Sequence, residues 1–127
     1  MKRFESYYDS LVYADLVSNQ IERQPAAEPV EIYLIHDHKT GLVKIGRTNN
    51  FWRRFNELAK IYPDIDVLAK WKDHPKREFE LHCRYANCRV EGEWFNLSRL
   101  DLVEIFRQQA DLGNRVHFDP NTGGFDE

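Results

Sequence analysis

Apolar positions recur with two different periods along this chain, and the switching between them predicts its elements. Phe4, Tyr8, Leu11, Val12 and Leu16 fall at helical spacing, which predicts an amphipathic helix over residues 3–21. Residues 22–30 hold two prolines and no periodicity, and read as a linker. Two β-rich runs, 31–36 and 42–47, flank a polar, Gly-containing turn and predict a hairpin. Asn49 or Asn50 can cap a following helix whose stripe is Phe51, Phe55 and Leu58. Residues 65–71 alternate loosely as a third strand, and Pro75 suits the first turn of a helix reaching Arg84 or Cys88. Gly92-Glu93-Trp94-Phe95 is a short extended piece. Ser98 with Asp101 resembles a capping box, opening a last helix with Leu100, Val103, Ile105 and Phe106 as its apolar positions. Turn residues without a pattern dominate beyond Gly113. The expected organisation is a helix and linker over 1–30, an α+β domain over 31–112, and a loose tail over 113–127.

Composition narrows the setting. The 127 residues are 42% hydrophobic, 13% aromatic and 31% charged, an ordinary globular balance with room for one domain. No apolar run approaches the ~20 residues that cross a bilayer, so no membrane partner is expected. The polar start lacks the apolar core of a secretory signal, and two cysteines make no disulfide framework. A cytoplasmic location is the expectation. The net charge of −3 is unevenly spread: residues 1–31 and 97–127 each carry −3, which leaves +3 in the middle. A basic centre fits a phosphate-bearing ligand, although solvated faces of ordinary elements explain the charge equally well.

Several residues look misplaced for structure alone. With Ile32 and Leu34 packed beside Val43 and Ile45, the opposite hairpin face collects Tyr33, Lys44 and Gly46. Glycine admits a close backbone and lysine supplies charge, so this face can serve as a phosphate station. A half-buried tyrosine beside a snorkelling lysine is the simpler account. Arg54 lies three residues after Phe51 and four before Leu58, along the apolar stripe, where it needs an anion or an internal salt bridge. Glu78 and His82 are one helical turn apart and can hold a hard metal ion, though surface Glu–His pairs at that spacing are common. The remaining His and Cys residues lack zinc-site spacing. Phosphate-binding loops and nucleophile elbows are absent.

The ordered set Ile32-Tyr33-Leu34, Lys44-Ile45-Gly46-Arg47-Thr48-Asn49-Asn50, Arg53-Arg54-Phe55, Glu78 with Leu81-His82, Arg89-Val90 and Gly92-Glu93-Trp94-Phe95 resembles the GIY-YIG nuclease superfamily. The likeness is to its branch first described as a phage DNA-binding domain, in which the second motif reads KIG. The resemblance implies a small three-stranded antiparallel sheet flanked by helices, here with an extra N-terminal helix. It also implies hydrolysis of a DNA phosphodiester with Mg²⁺ or Mn²⁺. Tyr33 would activate or position water, Arg54 would hold the scissile phosphate, and Glu78 would bind the metal, with His82 in support. Glu31 in place of a glycine and Lys44 in place of a tyrosine depart from the pattern. Lysine at its ordinary pKa is no general base, so Lys44 is expected to polarise Tyr33, water or phosphate.

The resulting expectation is a metal-dependent endonuclease acting on double-stranded DNA, with Arg47, Arg53, Lys60, Lys76 and Arg77 contacting the DNA. One small domain leaves sequence specificity to a homodimer, a protein partner or the N-terminal helix. The rival readings are a DNA-binding module that does not cleave, and a protein-interaction regulator in which the acidic ends matter.

Overall fold

The computed structural model describes residues 6–24 and 27–118. Phe4 of the expected stripe and residues 119–127 of the expected tail lie outside the described residues. Helix α1 (Tyr7–Arg23) is followed by strands β1 (Val30–Asp37) and β2 (Val43–Thr48), helix α2 (Phe51–Ile61) and strand β3 (Ile65–Asp73). Helix α3 (Lys76–Arg84) leads through a 3₁₀ turn at Ala86–Cys88 to β4 (Arg89–Glu91) and β5 (Trp94–Phe95). Helix α4 (Arg99–Asp111) and β6 (His117–Phe118) complete the described chain.

The α+β class is as expected, but the sheet is not three-stranded. Among the described residues six strands run in the order β4-β5-β2-β1-β3-β6, and every pairing is antiparallel. The three long strands are the legible ones. Strands β4, β5 and β6 are two or three residues long, too short to show an alternating pattern. Strand β6 pairs with β3 at Ala69 and Lys70, and the Asn114 amide donates to Asp73 and Gln109. Residues 113–118, expected to begin a loose tail, are therefore tied to the sheet.

Alternation divides the long strands between two cores. Ile32, Leu34, Val43, Ile45, Leu68 and Trp71 pack with Leu81 of α3 and Leu102 and Ile105 of α4. On the other side Tyr33, Ile35, Ile65 and Val67 pack with Phe51 and Leu58 of α2. Asn50 caps α2 by accepting from the Arg53 N–H, and Ser98 with Asp101 closes the capping box of α4. The Asp37 carboxylate accepts from Lys39 N–H and the Thr40 hydroxyl, and Gly41 takes a φ of 76°, so the hairpin turn is built from its own polar residues.

Two helix faces differ from the periodicity reading. In α1 the buried positions are Ser10, Ala14, Val17 and Ile21, whereas Tyr8 is 73% and Leu16 54% exposed. Helix α1 lies against α3, with Tyr13 edge-on to Phe79 and Asp15 paired to Arg84 at 2.9 Å. Small residues let two helices approach closely, so the narrower stripe faces inward. In α4, Leu102 and Ile105 enter the core while Leu100 and Val103 stay outside. No helix among the described residues is long and apolar enough to cross a membrane.

Candidate functional site

The register of β1 and β2 pairs Tyr33 with Gly46 and Ile35 with Lys44, so Tyr33, Lys44 and Gly46 do share one face. A Cβ at position 46 would collide with the Tyr33 ring, at Cζ and Oη. The ring therefore lies across the glycine, and the phenol crosses β2 toward its outer edge. Strand β5 covers that edge only at Val43 and Lys44. Tyr33 is buried and sits edge-on to Phe51, with ring centroids 5.5 Å apart. Burial raises its pKa, the charge of Glu93 raises it further, and Arg54 opposes both, so the phenol stays protonated.

Two carboxyl groups meet beside this phenol. Glu78 comes from the first turn of α3, its side chain 16% exposed. Glu93 comes from the β4–β5 turn, which Gly92 makes with a φ of 54°. Their carboxyl oxygens lie within 4.8 Å of each other, and burial followed by the charge of Glu93 pushes the Glu78 pKa up to about 7. Arg47 Nε, 3.7 Å from Glu78, pulls it the other way. Lys44 Nζ donates to Glu93 Oε1 at 2.6 Å from a largely buried position.

His82 lies one turn beyond Glu78, and ligand atoms of Glu78, His82 and Glu93 all fall within 4.8 Å of one another. Both imidazole nitrogens are nevertheless occupied. Nε2–H donates to the Ile45 carbonyl at 2.8 Å, which leaves Nδ1 to accept from Arg89 Nη2 at 3.3 Å. Burial lowers the His82 pKa and keeps the ring neutral. The imidazole thus fastens α3 to β2 and holds Glu78 in place, and the two carboxylates are the open donors of the cluster.

The remaining expected residues divide. Arg54 is not on the buried side: its side chain is about half exposed and pairs loosely with Glu57 at 3.8 Å. The long stem leaves the apolar stripe at its rim, yet the guanidinium stays close enough to Tyr33 to lower its pKa. Arg47, Arg53 and Lys60 are exposed, with Arg47 touching Glu78. Lys76 reaches Gln20 on α1. Arg77 cannot contact DNA. It is 3% exposed, donating to Asp73 and Glu80, both at 2.8 Å, and Glu80 in turn binds Arg84.

Sequence reasoning missed Glu93 as a site residue. Its signal was slight, a carboxylate next to the turn glycine Gly92, and its partners Lys44 and Glu78 are remote in sequence.

Comparison with known families decides the classification. The model of the T5orf172 domain matches residues 31–110. The chain belongs to the T5orf172 domain family. The resemblance to GIY-YIG nucleases is overturned by that match, which spans the residues that carried it. The T5orf172 family points to a nucleic-acid-related function, so the roles of individual residues rest on the geometry above. No curated protein and no solved structure matches the chain.

Proposed function

We propose that this T5orf172 domain is a divalent-cation-dependent DNA endonuclease working around Gly46 at the outer edge of β2. The observation that carries the reading is the Glu78–Glu93 pair, brought together from α3 and the β4–β5 turn beside a buried phenol. Two carboxyl groups this close disfavour each other's ionisation, and a cation held between them relieves that repulsion. Hard, partly solvent-open oxygen donors suit Mg²⁺ or Mn²⁺, with Glu78 and Glu93 holding the ion. When bound, such an ion supplies charge to polarise the phosphate and to stabilise the leaving oxygen.

The chain's own groups account for the rest. Tyr33, kept protonated by burial, donates a hydrogen bond to a phosphate oxygen or to the attacking water, and is not the base. Arg54, loosely tied to Glu57, swings onto the phosphate and offsets the charge that grows there as the water oxygen bonds to phosphorus, gives up its proton to solvent and displaces the sugar oxygen, whose P–O bond breaks. Lys44 pairs with Glu93 and holds it in place. His82 keeps α3 against β2.

A second reading, DNA binding without cleavage, is favoured by one contact: Lys44 already gives Glu93 a counter-charge. The two separate on supercoiled plasmid with Mg²⁺ or Mn²⁺, comparing wild type with Glu78→Gln, Glu93→Gln and Arg54→Ala. Nicking by wild type alone, with DNA binding retained in both Gln variants, is the expected result. A gel shift without any nicking selects the second reading, and nicking that survives Glu78→Gln overturns the site assignment.

A further inference from the structure

We infer that the groove beside Trp52 receives an unpaired nucleobase next to the scissile phosphate, so that DNA with an unstacked nucleotide is preferred over an intact duplex. The inference rests on the nuclease-site reading above and replaces the expectation of a plain double-stranded substrate.

Trp52 stands in the first turn of α2 and is 58% exposed, although its indole is one of the largest apolar groups in the chain. Singly exposed aromatic residues are ordinary on protein surfaces. This one differs in three respects. First, it is braced, with the Phe51 and Phe55 rings edge-on at 5.0 and 5.7 Å, which limits the entropy lost when a ligand stacks on it. Second, it borders an open groove of about 680 Å³, a size suited to a small planar ligand. Third, the same Phe51 ring that touches Trp52 also touches Tyr33, which puts the groove one aromatic ring away from the phenol beside the carboxylate pair.

The groove's polar groups match a base and its phosphate. Asn49 and Asn50 line it, and capping uses only the Asn50 Oδ1, so that side chain keeps its amide donors. Glu31 lines it as an acceptor and is balanced by Lys70 at 3.4 Å. Lys72, exposed and paired opposite Glu31 in the sheet, supplies a cation at the rim. Amide and carboxylate side chains read the edges of bases, and indole faces stack on any base. Within a duplex both faces of each base are covered by its neighbours, so only a nucleotide out of the stack can lie on Trp52.

The test uses fluorescence anisotropy at low salt, without added metal, with three labelled oligonucleotides: an intact duplex, the same duplex with one unpaired nucleotide, and that duplex with the unpaired nucleotide abasic. Wild type, Trp52→Ala, Trp52→Tyr and Glu78→Gln are compared. Wild type and Glu78→Gln should bind the unpaired substrate about tenfold or more tighter than the other two, Trp52→Tyr should keep most of that preference, and Trp52→Ala should lose it. Trp52 is exposed, so the variants should keep wild-type circular dichroism. Equal affinity for all three DNAs in wild type, or a preference that survives Trp52→Ala, overturns the inference alone. Absence of plasmid nicking with Mg²⁺ or Mn²⁺ alongside a Trp52-dependent preference here overturns only the nuclease reading, and absence of binding to any of the DNAs overturns both.

Discussion

Replacing Gly46 by alanine is the most direct test of how the site is built. The added methyl group would meet Cζ, Oη and Cε1 of Tyr33, all inside contact distance. The ring has nowhere to retreat: Tyr33 is 1% exposed and Phe51 stands against it. Overpacking a filled core costs about 1–3 kcal/mol, and a clash with a rigid ring belongs in the upper half, about 2–3 kcal/mol. For a chain of this size that lowers Tm by ~6–15 °C. Tyr33→Ala alone should cost ~3–5 kcal/mol through the cavity it leaves. In the double variant the alanine methyl enters that space, so the pair should cost less than the sum of the single changes by at least ~1 kcal/mol. Urea and thermal unfolding of the four proteins supply all of these values. A Gly46→Ala protein that melts with wild type, or strictly additive costs, would refute the placement of the phenol across β2.

Two further outcomes follow from the charges. Arg77→Ala should destabilise the fold by ~3–5 kcal/mol in denaturant titrations, because it strands Asp73 and Glu80 without their cation, while Lys76→Ala should change stability by less than ~0.5 kcal/mol; equal effects would place Arg77 at the surface after all. In metal-free protein Glu78 binds its proton more tightly folded than unfolded, so its stabilising contribution is full below pH 4.5 and is lost as pH rises through about 7. The gap corresponds to ~3 kcal/mol at most, hence wild type should lose Tm relative to Glu78→Gln between pH 5.5 and 8 in EDTA, and parallel pH profiles would show the carboxyl pair to be uncoupled.

What the sequence revealed depended on the range of the interaction. The hairpin and its face were legible because alternation is local, and the register that joins Tyr33 to Gly46 follows from packing Leu34 on Ile45. Asn50 and Ser98 were legible as caps for the same reason. Arg77 was misread because a cluster of basic residues carries no information about burial. The acids four before and three after it, Asp73 and Glu80, were the available sign of an internal network. The buried face of α1 was hidden because helix contact favoured the small Ser10–Ala14 stripe over bulkier residues, and nothing in α1 itself announces α3. Glu93 was missed because Lys44, its cation, lies 49 residues away.

The placement of both carboxyl groups reduces to the backbone of one residue. The Ile45 N–H donates to the Glu93 carbonyl at 3.0 Å, which pins the β4–β5 turn to β2. Its carbonyl accepts from His82 at 2.8 Å, which pins α3 to the same point. A strand residue directs its N–H and C=O to the same side, so one unpaired position on the edge of β2 can fasten two separate elements, each bearing one carboxylate. Its neighbours complete the arrangement: Lys44 gives Glu93 a counter-charge, and Gly46 makes room for the phenol. The Ile45 side chain meanwhile points into the opposite core, fully buried. Side-chain changes at Ile45 should therefore act through stability, changes at Lys44 on the site itself, and changes at Gly46 on both.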